Sequence, residues 1–328
     1  MDTIARLRKA VETLREAAGT ITASQGRPVE VTTESPAGTA ADASLPPDVR
    51  TFFAEVTGRL ELTAAPWSGG PRPDDASPMI DAGPFGFVLG LREVSELAEE
   101  WDGFEELFES NVWSVDPPAD PEDLYPVVDI GTGDLIVVAT ADPNEGSVYY
   151  LDHGGSDMSW VRLARSFVEY LEVIASLGGP GPSVWELQHF YRRDLDRLSL
   201  DCPEAEHWMN WHGLGGRPVD RTPLPLEVLA FDAALVAAGG LTDRTIRNEF
   251  EKVAGDGRVA VRVRNAWVGD FERGVAVYRQ GEREGLIDAA GRVVFEAVRC
   301  HLTRNGDRFA GTRFKQPPFA IEVARRGS

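Results

Sequence analysis

The chain has 328 residues, 42% of them hydrophobic, with 33 Lys and Arg against 53 Asp and Glu and a formal net charge of −20. That length accommodates two domains. So acidic a chain is a poor ligand for nucleic acid, no apolar run reaches bilayer-spanning length, and the N-terminus MDTIARLRKAVETLREAAG lacks the apolar core of a signal peptide, so a cytoplasmic protein with no membrane contact is expected. Cys202 and Cys300 fit a reducing compartment without excluding one disulfide. The charge is uneven: residues 93–161 hold 18 acidic side chains and no Lys or Arg, whereas residues 244–328 hold 17 basic and 11 acidic ones. A negative face that steers in a basic partner is one reading of the first segment; ordinary acidic solubility, with charge matching between domains, is the other.

In chain order, Ile4, Leu7, Val11, Leu14 and Ala18 recur at helical spacing, with Gly19 as the stop. Residues 20–44, rich in Thr, Ala, Ser, Gly and Pro, read as a linker or a short hairpin (QGRPVEVTTES). A helix starting at Pro46–Pro47 puts Val49, Phe52, Phe53 and Val56 on one stripe. RLELTAAPW and FGFVLGL are strands on either side of an exposed loop, SGGPRPDDASPMIDAGP. In REVSELAEEWDGFEELFES, Val94, Leu97, Ala98 and Trp101 share a helical face, continued by Phe104, Leu107 and Phe108 after Gly103. VWSVDP, YPVVDIG, DLIVVAT and SVYYLDH are strands, the last two a hairpin around DPNEG. ARSFVEYLEVIASLGG is a helix closed by Gly178 and Gly179, with Leu163, Phe167, Leu171 and Ile174 as its buried stripe.

This pattern gives residues 1–44 as an N-terminal helix and linker and residues 45–178 as an α+β domain, a mixed or antiparallel sheet packed by helices. PGPSVWELQHFYRRDLDRL is predicted helical, anchored by Trp185, Phe190 and Leu195, and residues 179–216 form an aromatic connector. Residues 217–328 make a smaller helical and β unit. LPLEVLAFDAALVAAGG and LTDRTIRNEFEKVA are predicted as helices, the second capped by Thr242 or Asp243. The strands RVAVRVRNAWV, GVAVYRQ, REGLIDAAG, RVVFEAV and FAIEVARR follow.

Residues 124–153, LYPVVDIGTGDLIVVATADPNEGSVYYLDH, concentrate Asp129, Asp134, Asp142, Asp152 and His153. Carboxylates and imidazole bind metals and move protons, so a carboxylate-dependent hydrolase centred here is one reading. Yet there is no HExxH, no EF-hand loop and no close histidine pair. Asp134 after Gly131 and Gly133, and Asp142 in DPNEG with Gly146 at positive φ, fit turns. Asp152 and His153 are strand neighbours that point opposite ways, which makes them a poor dyad; His153 reads as a turn residue or a rim contact. GTGD precedes a strand, whereas a phosphate loop precedes a helix. Cys202, His207 and His212, with Asp201, Glu204 or Glu206, invite a zinc reading, but the spacing matches no standard finger. An aromatic mini-core around Trp208 and Trp211 is the simpler one. Glu96, Glu99, Glu100, Glu105, Glu106 and Glu109 line the polar side of one helix, a solvated face or a contact face. No opposed, buried carboxylate pair of the glycosidase kind is specified. No catalytic residue, cofactor or metal is expected.

Several stretches together resemble the SMI1/KNR4 family, the SUKH superfamily. LPPDVRTFFAEVTG resembles its opening helix, GFVLGLREVSELAEEW its strand and helix with a late tryptophan, and YPVVDIGTGDLIVVAT its Gly-Asp turn into a central strand. DPNEGSVYYLDH followed by LARSFVEYLEVI resembles its hairpin and closing Ser-Phe helix. The likeness covers roughly residues 45–175. The Asn-Gly-Gly that many members carry after the first helix is replaced here by VTGRLELTAAPWSGG. Farther on, FERGVAVYRQGEREGLIDAAGRVVFEAV resembles a single WG-type repeat with Glu284 at the tryptophan position; one such unit must pack on something else to bury both faces, the 223–254 helices or the first domain.

The resemblance implies a non-enzymatic, protein-binding immunity protein that occludes the active surface of a basic toxin domain; a regulatory or scaffold role on a host protein is the alternative it leaves. Glu96, Glu99, Asp102, Glu106, Trp113, Asp142, Tyr150 and His153 are the expected partner contacts. Phe104 and Trp101 are further aromatic candidates if exposed, with Trp101 expected in the core.

Overall fold

The computed structural model describes residues 2–25, 28–38, 45–64, 86–101, 117–130, 133–152, 159–220, 224–246, 249–280, 283–305, 308–312 and 319–322. They divide into two units, one holding the described residues up to Asp220 and the other those from residue 224 onward.

The first unit begins with α1 (Thr3–Gln25). Its stripe of Leu7, Ala10, Val11, Leu14, Ala18 and Ile21 is buried, packed on α4 (Phe167–Ser176), and the Arg6 guanidinium holds both carboxylate oxygens of Glu172 at 2.8 and 2.6 Å. The helix runs past Gly19, contrary to expectation. Ile21 on the next turn is fully buried, and burial of one such side chain, about 1.5–3 kcal/mol, outweighs the roughly 1 kcal/mol cost of an internal glycine. The segment read as a linker holds β1 (Val29–Thr33), which pairs antiparallel with β2 (Arg59–Ala64); β3 (Gly86–Gly90) completes that sheet. Between β1 and β2, α2 (Pro47–Thr51) starts at the Pro pair and ends in a wider turn, Phe52–Val56. Phe52 and Phe53 are fully buried there, and Phe52 meets Phe167 edge-on at 5.7 Å.

After α3 (Leu91–Trp101), an antiparallel meander forms the second sheet from β4 (Leu124–Asp129), β5 (Leu135–Ala139), β6 (Val148–Leu151) and β7 (Val161–Ala164). Every residue of β5 and of β6 is buried, so both faces of this sheet are covered. Helix α4 closes the meander. Ser166 Oγ accepts from the Glu169 N–H at 3.1 Å while Glu169 Oε2 accepts from the Arg165 N–H at 2.8 Å, reciprocal capping that fixes the helix start. Gly178 and Gly179 end it at φ 76° and 72°. Leu163, expected on the helix, lies in β7.

The segment after Gly181 is not one helix. It forms α5 (Val184–Leu187), a 3-10 turn over Gln188–Phe190 and a hairpin of β8 (Tyr191–Arg192) and β9 (Arg197–Leu198). The chain reverses at Asp196, whose φ is 50°; its carboxylate accepts from the Tyr191 hydroxyl at 2.7 Å and pairs with Arg162 at 3.0 Å. Asp tolerates that left-handed backbone, and the reversal brings Arg197 to Glu169 on α4. Helix α6 (Pro203–His212) follows, with Cys202 at its N-cap and Gly213 in the left-handed region after it.

The second unit corrects the largest misreading. Where two helices are expected, the chain forms β10 (Glu227–Phe231), a six-residue α7 (Ala233–Ala238) capped by Asp232, β11 (Thr242–Ile246) and β12 (Glu249–Val253). The apolar positions of the last stretch suit a helix locally. Ion pairs reached only across strands suit the sheet: Arg244 and Arg262 converge on the buried Glu251, and the Lys252 ammonium reaches Asp243 at 2.7 Å and Asp270 at 2.9 Å. The sheet order is β10-β13-β12-β11, with β13 spanning Val259–Arg264.

A second meander follows from β14 (Trp267–Val268), β15 (Val275–Gln280), β16 (Arg283–Asp288) and β17 (Val293–Arg299), then a third from β18 (His301–Asn305), β19 (Arg308–Thr312) and β20 (Phe319–Glu322). The middle sheet buries both faces. Ala276, Tyr278 and Ile287 join Phe250, Val261 and Val263 of the first sheet, while Val275 and Leu286 join Leu302 and Phe309 of the third. The stretch compared with a lone repeat is thus covered by sheets on both sides.

Candidate functional site

The acidic residues of 124–153 fall at the two ends of the four-stranded sheet. Asp129 pairs in register with Leu135, and Leu135 with Leu151. Asp129, Asp134 and Asp152 therefore share one end of β5, and Asp142 lies beyond the other. Asp134 and Asp142 do not converge, and a two-carboxylate centre of the kind the hydrolase reading requires is not formed by them. Asp134 is 7% exposed and its Oδ2 accepts from the Tyr150 hydroxyl at 2.9 Å.

This overturns Tyr150 as a partner contact. It is fully buried, because β6 is covered on both faces and strand alternation gives it no solvent side. Gly133 and Gly146 take φ values of 94° and 81°, as the turn readings require. His153, Asp102, Phe104, Glu106 and Trp113 lie outside the described residues.

At the Asp142 end, three chain segments are tied together. The Trp101 indole N–H, at the end of α3, donates to the Pro121 carbonyl at 3.2 Å. Asn144 Nδ2 donates to the Pro118 carbonyl at 2.8 Å, and the Thr140 N–H to the Asp123 carbonyl at 2.8 Å. The turn after β5 is itself closed by Gly146 N–H to Ala139 O at 2.8 Å and Ser147 N–H to Asn144 O at 2.9 Å. Asp120, Glu122, Asp142 and Glu145 project from these turns and are exposed, as are Glu96 and Glu99 on α3, which packs beside β4. Among the described residues, Glu99, Glu122, Asp142 and Glu145 stand in no ion pair. Trp101 itself is partly buried, packed with Leu97 against the sheet core of Leu124, Val137 and Tyr149. Asp120, Glu122 and Glu145 were not singled out from the sequence. Their only signal there is membership of the basic-free segment; the hydrogen bonds that gather them link residues more than fifteen positions apart.

Around α6, Cys202 Sγ caps the helix by accepting from the Ala205 N–H at 3.4 Å, and burial pushes its thiol up to about 11; a neutral, capping thiol is poorly suited to metal. His207 stacks edge-on with Trp211 at 5.7 Å and His212 with Trp208 at 4.1 Å. Among the described residues, no three His, Cys, Asp or Glu side chains come together as a metal set.

Two antiparallel sheets covered by helices, with charged turns at a rim, define an α+β scaffold that offers a surface for contact. Positions 39–173, less than half of the chain, match the SMI1 / KNR4 family (SUKH-1), a family that includes immunity proteins. SUKH domains are in general non-enzymatic and protein-binding. No curated protein matches the chain. No helix among the described residues is long and apolar enough to cross a membrane.

Proposed function

We propose that the chain is an immunity protein that docks its acidic rim on a basic toxin domain, in a cytoplasmic setting, and silences it by covering the toxin's active surface. Binding occludes; the chain makes and breaks no bond. The observation that carries this reading is the rim itself, where Glu122, Asp142 and Glu145 project from turns fixed by mutual hydrogen bonds, next to Glu96 and Glu99 on α3. Charges fixed before docking lose little freedom on binding, and their summed field speeds encounter with a cation-rich partner. Asp102, Glu106 and Trp113 are proposed as further contacts of the same partner; His153 is not, since its neighbour Asp152 stands at the opposite end of β5 from Asp142.

The test takes as partner the product of the gene neighbouring this chain's own; a neighbour that is no toxin would count against the immunity reading. Association should slow by about tenfold or more between low and physiological salt. The variant Glu99→Lys/Glu122→Lys/Asp142→Lys should associate more slowly still at low salt, with its melting temperature unchanged. A salt-independent on-rate, or full-strength binding by the charge-reversed chain, would place the interface elsewhere.

A further inference from the structure

The residues between Leu187 and Asp220 clamp the first unit shut. The Trp208 indole N–H donates to the Leu177 carbonyl at 2.7 Å, at the end of α4. Gly178 fits beneath two side chains so closely that a Cβ there would lie 2.7 Å from Ile21 Cδ1, on α1, and 3.2 Å from Leu214 Cδ1. Phe190, Trp208, Trp211 and Leu214 are buried in this contact, so one aromatic wedge holds the end of α1 against the end of α4.

In this segment His189 Nδ1 and His207 Nε2 meet neither solvent nor a hydrogen-bond partner, and a third imidazole, the buried His212, lies against Trp208 at 4.1 Å. Protonation would convert either of the first two into a buried N–H cation with no acceptor, which costs several kcal/mol when no rearrangement follows. The charged group facing His207 is Asp220, which favours the proton but does not cancel the effect of burial. Its own helix adds Glu204 and Glu206, and Glu206 is paired with Arg217 at 3.5 Å. Helix α1 contributes Thr20 and Ile21 beside Gly213 and Gly178, the 3-10 turn contributes Gln188, and the segment after α6 contributes Leu214. At His189, whose Nδ1 is buried while the residue as a whole is half-buried, desolvation is what lowers the ring's proton affinity.

We infer that this wedge is an acid-labile latch: uptake of protons at His189 and His207 opens the contact between residues 187–220 and the α1–α4 ends while the four-stranded sheet stays folded. Burial holds His189 down at about 4, against 6.5 for a free imidazole, and lowers His207 as well. Because the folded-state values are depressed, the open or unfolded form binds more protons below pH 6.5. The stability contribution is therefore complete above that pH and drains away as pH falls toward 4. His189 alone should raise the opening constant about 30-fold from pH 7.5 to pH 5.

The experiment is NMR and hydrogen exchange on the full chain over that pH range. The His189 and His207 ring signals should remain those of neutral imidazole well below pH 6.5, and the Trp208 indole N–H should lose protection at pH 5 before the amides of β5 and β6 do. In His189→Leu/His207→Phe, the change in Trp208 protection between pH 7.5 and pH 5 should largely vanish. Ring signals titrating at 6.5 or above would overturn the latch, as would equal loss of protection at Trp208 and in β5. An unchanged pH response in the folded double variant would do the same. If that variant does not fold, the native-chain titration and the order of protection loss decide alone.

Discussion

At the residue scale, the Tyr150–Asp134 pair shows how a side chain that looks like surface can be a fixture of the core. The hydroxyl donates to a carboxylate that is itself 7% exposed, and a buried acceptor deprived of a donor costs about 1–3 kcal/mol. Tyr150→Phe should lower stability by about that amount in a denaturant melt and leave partner association untouched; a variant of native stability would show that Asp134 does not depend on the bond. Gly285 makes a similar point in the second unit. A Cβ there would lie 2.5 Å from the Tyr278 ring and 2.7 Å from the Phe295 carbonyl oxygen, and Tyr278 is held because its hydroxyl oxygen accepts from the Ala297 N–H at 2.9 Å. Gly285→Ala should cost about 1–3 kcal/mol, read as a lower denaturation midpoint of the second unit. From the sequence, Asp134 was legible as a turn residue because glycines precede it. Tyr150 was not, because alternation says which residues share a face and not whether that face is covered.

At the element scale, legibility follows how local the deciding force is. The end of α4 was readable from two glycines, since a left-handed stop is written within a few residues of where it acts, whereas its start, fixed by the Ser166 cap, was placed too early, with Leu163 of β7 counted on the helix. Ser166→Ala should cost about 1 kcal/mol; full stability would mean that packing of Phe167 alone sets the helix start. The β11–β12 hairpin shows the opposite case. Ile246, Phe250 and Val253 are spaced as on a helix, and nothing local contradicts that reading. What settles the strand is Arg262, two strands' worth of sequence away, reaching the buried Glu251 at 2.5 Å. The segment from Val184 to Leu198 failed for the same reason, its reversal being held by Arg162 on β7 and by Glu169 on α4.

At the scale of the whole molecule, the uneven charge seen in the sequence has two different physical meanings. In the second unit, the many arginines are matched at short range: Arg264 to Glu227 and Glu249, Arg279 to Glu284, Arg292 to Asp288 and Arg304 to Glu272. These arginines are neutralised within an internal lattice of pairs. In the first unit, the rim acids extend into solvent, which is why the candidate surface is placed there. The stacked arrangement of the second unit makes its own prediction. The middle sheet needs a partner on each face, and residues 255–328 lack the β11–β12 hairpin, β10 and α7 that supply Phe250, Leu235 and Val236 to one of its cores. Expressed alone, that fragment should show no cooperative melt, whereas residues 224–328, which keep both cores, should melt cooperatively. Cooperative unfolding of the shorter piece would mean that the core shared with the third sheet, built on Leu286, Leu302 and Phe309, suffices by itself. The first sheet would then be an addition to the unit's fold rather than a condition of it.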